Sequence, residues 1–496
     1  MRADLLRGFV AGAIAGVALV ALMYVLAILT GLQPLTQLLE GPILAALPGP
    51  VFGFLIDRLQ HSGKVLEEFG LIAAMVVALG LLGALYVWLR ERRPFAHLAL
   101  MVAAAGWLLT VAAILPITGD GFLGLDEGYL TPLYWGLLFG AYGVLLEVAV
   151  GSWLRPSPAG ADPGRRRMLI APLAVAGISL GFLGFRLLPG WLQAVFAPPE
   201  SGLSGPAPEI TPVADFYVVS KNFSDPVIPA GTWSLNLHGL VESPLRLTLD
   251  QLRAQPATVE VVTLECISNL VGGALISTGE FAGPALRELI AMARPQSGAT
   301  TVAFHAHDGY DESLPLAEVM GRGDILVAHS LAGAPLPARH GFPARILIPG
   351  RYGMKGPKWL EEIELISGDR NGYWENQGWN RDAVVRTTAR IDAPRDGALL
   401  SGTVEIAGVA FAGTRGVSAV EVSTDGGHSW RAAQLQAPPS ALSWSLWTYS
   451  WSPAGKGEYA LVVRARDGQG GLQPAQRSDS FPSGAGGYHT VRVSVS

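Results

Sequence analysis

Five apolar runs in the first 190 residues set the frame of this chain, because each is long enough to cross a bilayer. A helical span takes about 20 apolar residues, and the runs lie at 8–30, 69–89, 95–117, 131–153 and 168–189. Lipid offers no partner to backbone polar groups, so this half is expected to be an all-α bundle. A further stretch, 41–56, is short and carries Pro42, Pro48 and Pro50. It reads as a re-entrant or interfacial piece.

Basic residues orient the bundle. Arg2 and Arg7 precede the first run, Arg90, Arg92 and Arg93 follow the second, and Arg155 with Arg165, Arg166 and Arg167 follows the fourth. With five spans all three clusters share one side, which the positive-inside rule makes cytoplasmic. The N-terminus is then cytoplasmic and everything after Pro189 is extracytoplasmic. The Arg165-Arg166-Arg167-Met168-Leu169 string before an apolar run also fits an internal twin-arginine export signal. An ordinary positive-inside flank accounts for it equally. His97 and Glu147 are the ionisable residues expected inside spans, with Arg186 near an outer end. A buried haem b takes paired helical histidines, so no electron relay is legible in the bundle.

Beyond Pro189 the pattern changes. Residues 191–212 are rich in Pro and Gly (Pro198, Pro199, Gly202, Gly205, Pro206, Pro208) and read as a linker. Short alternating stretches follow, as soluble β-rich domains show. The net charge of −5, with no long basic block, speaks against nucleic acid. The chain has one cysteine, Cys266, which excludes an intramolecular disulfide, an all-cysteine iron–sulfur cluster and a covalent c-type haem. A lone cysteine suits an apolar core as readily as a metal site. Its setting is VEVVTLECISN (259–269), a strand running into a turn, where a rigid element can fix a ligand.

Further on, WSLNLHGL (233–240) is a period-2 strand, a short helical stretch lies near 248–254, and TVAFHAHDGYDESLPL (301–316) alternates and then turns at Asp308-Gly309. HGFPARILIPGRYGMKGPKWLEEIELI (340–366) contains a strand at 344–348 and a loop at 350–358 with Gly350, Gly353, Gly356, Arg351, Lys355 and Lys358. Backbone N–H groups and cations in such a loop can hold a phosphate; a solvated turn has the same composition. His305 and His307 are two apart, as a metal pair could be, but with no third ligand nearby a polar strand face is the simpler reading. Trp233, Trp359, Trp374 and Trp379 read as core or subunit contacts.

The strings TLECISN, GYDESLPL and HGFPARILIPGRYGMKGPKWL, in that order, resemble the signatures of the sulfite oxidase family of molybdopterin-binding domains. The resemblance covers about 210–495. It implies a molybdenum–molybdopterin cofactor with Cys266 as the metal's thiolate ligand. It further implies cofactor contacts from Tyr217, Ser220, Lys221 and Asn222 in FYVVSKN (216–222), from Asp308, from His340 and Arg345, and from Gly356, Pro357 and Lys358. Tyr310 corresponds to an active-site tyrosine. Two departures bear on the substrate. Sulfite oxidases follow the cysteine motif with arginines, where this chain has Asn269-Leu270-Val271-Gly272, and their early loop carries an arginine where this one has Ser220-Lys221-Asn222. Lys221, Arg351 or Lys355 would have to replace those charges in part.

From about Arg386 the strands shorten and Asp425-Gly426-Gly427 and Asp467-Gly468 mark turns, as in an antiparallel sandwich. In the family a similar immunoglobulin-like domain mediates dimerisation, which implies a homodimer. The expectation is a multi-domain chain: an all-α transmembrane bundle (1–190), a linker (191–212), an α+β molybdopterin domain of the sulfite oxidase type (213–385) and an immunoglobulin-like β-sandwich (386–496). It would be a multi-pass membrane protein whose extracytoplasmic domain transfers an oxygen atom to or from a small substrate. Electrons would pass through a partner: a cytochrome, a membrane haem protein or quinone. The competing expectation is a non-catalytic exported binding or assembly module that keeps the fold. Retention of Cys266, Tyr310, His340, Arg345 and Lys358 together weighs against it, because a scaffold has no physical need for that set.

Overall fold

The computed structural model describes residues 2–30, 34–46, 49–92, 97–118, 121–124, 130–154, 205–222 and 225–496. They fall into two compact units, one formed by the N-terminal helices and one running through the C-terminal part.

The first unit contains α1 (Arg2–Thr30), α2 (Leu35–Ala46), α3 (Gly49–Arg92), α4 (Leu98–Leu109, prolonged to Thr118) and α5 (Thr131–Leu154). Four stretches within them are long and apolar enough to cross a membrane: Asp4–Ala27, Glu67–Arg92, Leu98–Thr118 and Thr131–Val150. They coincide with the first four expected spans. The fifth, 168–189, and the Arg165 to Arg167 string lie outside the described residues. The proline-bearing stretch 41–56 is helical where described, split between the end of α2 and the start of α3. His97 is not inside a span, as the sequence suggested, but at the N-cap of α4 with φ of 65°. Glu147 is inside α5, where it accepts the Tyr86 hydroxyl at 2.6 Å and lies 3.6 Å from Arg90. Helices α1 and α3 touch backbone to backbone through small residues: a Cβ on Gly12 would stand 2.6 Å from the Leu79 carbonyl and 2.8 Å from the Gly83 Cα. Such small-residue faces are how helices associate where no hydrophobic force separates protein from solvent.

The second unit begins with a mixed five-stranded sheet of order β2-β1-β11-β5-β6, formed by β1 (Ser234–Gly239), β2 (Leu245–Thr248), β5 (Thr301–Ala306), β6 (Asp311–Pro315) and β11 (Leu360–Ile366). Only β1 and β11 run parallel. The helix Leu249–Arg253 starts at a capping box between Thr248 and Gln251, as the 248–254 reading anticipated. The inner face is dry, with Leu235, Leu237, Phe304, Ile363 and Leu365 buried against the helix Leu286–Ala293. Beside it stand β3 (Thr258–Glu265), β4 (Ile276–Gly283), β8 (Ser330–Leu331) and β9 (Ala334–Pro335) in one antiparallel sheet, and β7 (Leu326–Ala328) paired with β10 (Arg345–Leu347).

The C-terminal strands make a sandwich. One sheet is β12-β14-β18-β17 and the other β13-β20-β19-β15-β16; β12 is Thr388–Ala393, β14 Val404–Phe411, β15 Val417–Ser423, β16 Arg431–Ala432, β17 Gln434–Leu435, β18 Ser445–Trp451, β19 Gly457–Asp467 and β20 His489–Val495. All pairings are antiparallel except β13 (Ala398–Leu400) with β20. Ile391, Val420, Trp447, Val463 and Val491 fill the space between the sheets, one residue from each of several alternating strands as sandwich packing requires.

Candidate active site

Cys266 follows the last residue of β3. Its N–H donates to the Leu275 carbonyl at 2.9 Å, and its own carbonyl accepts from the Asn269 N–H at 2.9 Å. The turn between β3 and β4 is thus closed at both ends, and the sulfur, half-buried, lies 3.1 Å from the Ser268 hydroxyl. Tyr217 approaches from the early loop. Burial, then the neighbouring Cys266, push its hydroxyl far above the ordinary tyrosine range, with Arg345 pulling the other way. It therefore stays protonated.

The FYVVSKN loop meets the 340–358 region along its length. Phe216 packs edge-on against the His340 ring at 5.5 Å. Lys358 donates to the Ser220 hydroxyl at 2.5 Å and to the Arg339 carbonyl at 3.1 Å, and its ammonium lies 4.2 Å from the Trp359 ring centre. Lys221 donates to Asn222 at 2.6 Å, and Asn222 donates on to the Asp308 carbonyl at 3.3 Å. Asp308 is buried, and burial raises its carboxyl above the usual range against the pull of Lys221 and Lys358.

Arg345 is the residue whose state matters most. It is 7% exposed, and its Nη1 and Nη2 reach only the carbonyls of His340 (3.3 Å) and Gly356 (3.4 Å). Its Nε is buried without a partner, and among the described residues no carboxylate pairs with it. A buried, uncompensated guanidinium is costly unless something anionic joins it. His340 beside it is held neutral: burial, then Arg345 and Lys358, push its pKa down to about 4. Pro357 completes the cradle by accepting the Ile346 N–H at 2.9 Å.

Three candidates named from the sequence have other employment. The Tyr310 hydroxyl donates to the Met354 carbonyl at 2.6 Å, so it holds the 350–358 loop, and a role at a substrate would require that bond to be exchanged. Of the three cations that could replace the missing substrate arginines, two are already committed. Arg351 makes two 2.9 Å bonds to the Glu318 carboxylate. Lys355 is buried between Glu312 and Glu375, 2.5 Å from each. Their charge is spent inside the protein, which corrects that expectation and leaves Lys221. His305 and His307 do not converge either, since each faces its own glutamate, Glu364 and Glu361.

Sequence reasoning passed over Tyr352 and Glu265. Tyr352 is buried near Cys266 and Glu265, which together with burial raise its hydroxyl well above the ordinary range; its oxygen accepts the Arg386 N–H at 3.2 Å. Glu265 is buried next to Cys266, and desolvation pushes its pKa up to about 7. Its place before the cysteine was visible, but an inward-facing glutamate on a strand end looks like any solvated one.

The neutral histidines carry a pH dependence. His340 and His489 both have folded pKa values near 4, below the ordinary 6.5. The unfolded chain therefore binds more protons between those values, so stability is full above about 6.5 and is lost as pH falls to about 4. Each histidine is expected to cost roughly 1–3 kcal/mol across that window. Unfolding midpoints of wild type and His489→Gln at pH 7 and pH 4.5 measure it, and an equal acid loss in both would remove His489 from the account.

The residues present fit an anionic, thiolate-ligated cofactor: a cysteine at a strand end, a buried guanidinium that meets no carboxylate among the described residues, a neutral histidine and a lysine belong to one set of loops. Comparison with known proteins agrees. The oxidoreductase molybdopterin binding domain matches residues 222–374, and the Mo-co oxidoreductase dimerisation domain matches 382–495. Mitochondrial sulfite oxidase from Mus musculus is 30% identical over 325 residues, covering 56% of this chain and 59% of that protein. The Homo sapiens counterpart is 31% identical over 313 residues, covering 53% and 57%. The chain thus spans less than two thirds of the length of these relatives. Nitrate reductase [NADH] 1 of Oryza sativa subsp. japonica is 26% identical over 332 residues, covering 53% of this chain and 36% of that one. The crystal structure of the sulfane dehydrogenase SoxCD from Paracoccus pantotrophus superposes with a TM-score of 0.51 at 23% identity, over 59% of this chain and 82% of that one, and shows the fold. Through residues 222–495 the chain belongs to the sulfite oxidase family of molybdopterin oxidoreductases, with a dimerisation domain after the cofactor domain and apolar helices consistent with a membrane anchor before it.

Proposed function

We propose that this chain is a membrane-anchored molybdenum oxidoreductase that transfers an oxygen atom to or from a small substrate on the extracytoplasmic side. The observation that carries it is the buried Arg345 guanidinium, which meets two backbone carbonyls but no carboxylate among the described residues, in the same stretch as His340 and Lys358. A bound anion would give that arrangement a reason. Cys266 would hold the metal, and Arg345, His340, Lys358, Asp308 and the Ser220–Asn222 loop would hold the pterin and its phosphate. Bound there, the cofactor supplies two-electron oxygen-atom transfer. The Tyr217 hydroxyl, kept protonated by burial, is available to donate a hydrogen bond in this site.

The substrate we infer carries less negative charge than sulfite. With Arg351 and Lys355 engaged, few cations remain to hold a dianion, whereas an uncharged S-oxide needs only hydrogen-bond donors. The single cysteine supports no iron–sulfur cluster within the chain, so electrons would be exchanged with a cytochrome, a membrane haem protein or quinone. A homodimer through the C-terminal sandwich fits the dimerisation-type domain.

Metal analysis of the purified protein tests the reading. About one molybdenum per chain is expected in wild type and at least a tenfold loss, or an altered metal spectrum, in Cys266→Ser. No molybdenum in protein from cells with intact cofactor synthesis and export would sink it and favour the binding or assembly module. With metal present, an S-oxide should be turned over with at least about tenfold higher kcat/KM than sulfite.

A further inference from the structure

The turn that carries Cys266 is gripped from the sandwich. Arg390 of β12 is 7% exposed; its Nε donates to Asp392 at 2.5 Å, and its Nη1 reaches across to the Gly273 carbonyl at 2.7 Å. Its Nη2 is buried and has no hydrogen-bond partner among the described residues. On the other side stands Glu265, the residue before Cys266. Its Oε1 accepts from the Asn269 side-chain amide at 2.9 Å, while its Oε2 is buried and without a partner. The Arg390 charge bears on that carboxyl. Asn269 in turn accepts the Leu275 N–H at 3.0 Å, which closes the turn.

The turn packs closely on the sandwich at this seam: Gly272 has φ of 79°, and a Cβ there would come within 2.3 Å of the His489 imidazole of β20.

We propose that Arg390 is a positioning residue for the Cys266 turn, acting through its bond to the Gly273 carbonyl, so that the sandwich domain sets the geometry of a sulfur it does not touch. The role of the sandwich then goes beyond dimerisation. The consequence for catalysis rests on the reading of Cys266 as metal ligand, but the grip on the turn does not.

The test uses the full-length chain and exploits its single cysteine. In metal-free protein, Cys266 alkylation by iodoacetamide should be about tenfold faster in Arg390→Met than in wild type. Arg390→Lys should recover part of the protection. Arg415→Met, which loses a pair with Asp467 confined to the sandwich, should leave the rate unchanged. In molybdenum-loaded protein, Arg390→Met should keep its metal yet shift the Mo(V) EPR signature. Unchanged alkylation in Arg390→Met, or equal acceleration in Arg415→Met, overturns the proposal. Wild type without molybdenum would instead overturn the functional reading, while the alkylation result still decides this one.

Discussion

Arg345→Met is expected to empty the site of cofactor while making the cofactor-free protein harder to unfold. Both effects follow from one fact. Arg345 is buried, its guanidinium meets only two long carbonyl contacts, and its Nε meets nothing. Burial alone already lowers its pKa from the arginine norm, a sign that the charged form is strained there. Replacing an uncompensated buried charge with an apolar side chain of similar length commonly adds about 1–4 kcal/mol. For the bound state the sign reverses, because the same guanidinium is then charge-paired with an anion, and truncating one partner of such a pair costs roughly 2–5 kcal/mol. Molybdenum content should fall at least tenfold, while the melting temperature of metal-free protein rises by a few degrees. A variant that retains its metal, or whose metal-free form melts lower than wild type, would mean Arg345 has an internal role instead.

Lys355→Met should have the opposite sign and a larger effect on folding. Its ammonium sits 2.5 Å from both Glu312 and Glu375, and all three side chains are almost wholly out of water. Removing the lysine leaves two buried carboxyls facing one another, and breaking such a cluster by one partner typically costs 3–5 kcal/mol. The triple variant Lys355→Met/Glu312→Gln/Glu375→Gln should regain most of that loss, because it leaves no charge behind. The pH dependence identifies the cause. Desolvation, and then Glu375, raise Glu312 while Lys355 lowers it, and even with the lysine present its pKa is up at about 8. A carboxyl raised in the folded state contributes stability that is full below the unfolded value near 4.5 and is lost as pH rises toward 8. Without the lysine that loss should steepen. Chemical unfolding of Lys355→Met should therefore show a greater deficit at pH 8 than at pH 5; a deficit independent of pH would point to lost packing rather than charge.

These two residues also mark how far sequence can be read. Arg345, Arg351 and Lys355 lie within eleven positions of one another and are equally cationic on the page. What separates them is 33 residues away for Arg351, where Glu318 waits, and 43 residues away for Lys355, where Glu312 does. Arg345 finds no such partner. Tyr310 is a similar case: its string matched a family pattern, but the direction of its hydroxyl depends on Met354, 44 residues on.

By itself the sequence determined the elements whose causes are local. Apolar run length placed four spans that the described helices repeat to within a few residues, period-2 alternation placed β1 and β5, and the strand-to-turn change placed Cys266 at the end of β3. It also supplied the contiguous strings that carry the cofactor cradle, since those loops hold their residues close in chain order. Tertiary structure alone decided which cation stays without a carboxylate, that the Tyr310 hydroxyl goes to the Met354 carbonyl, and that Arg390 of the sandwich reaches the Gly273 carbonyl of the Cys266 turn, 117 positions earlier by number. Hydropathy and turn signals act over a few residues, whereas desolvation and charge pairing depend on whatever the folded chain brings within a few ångströms.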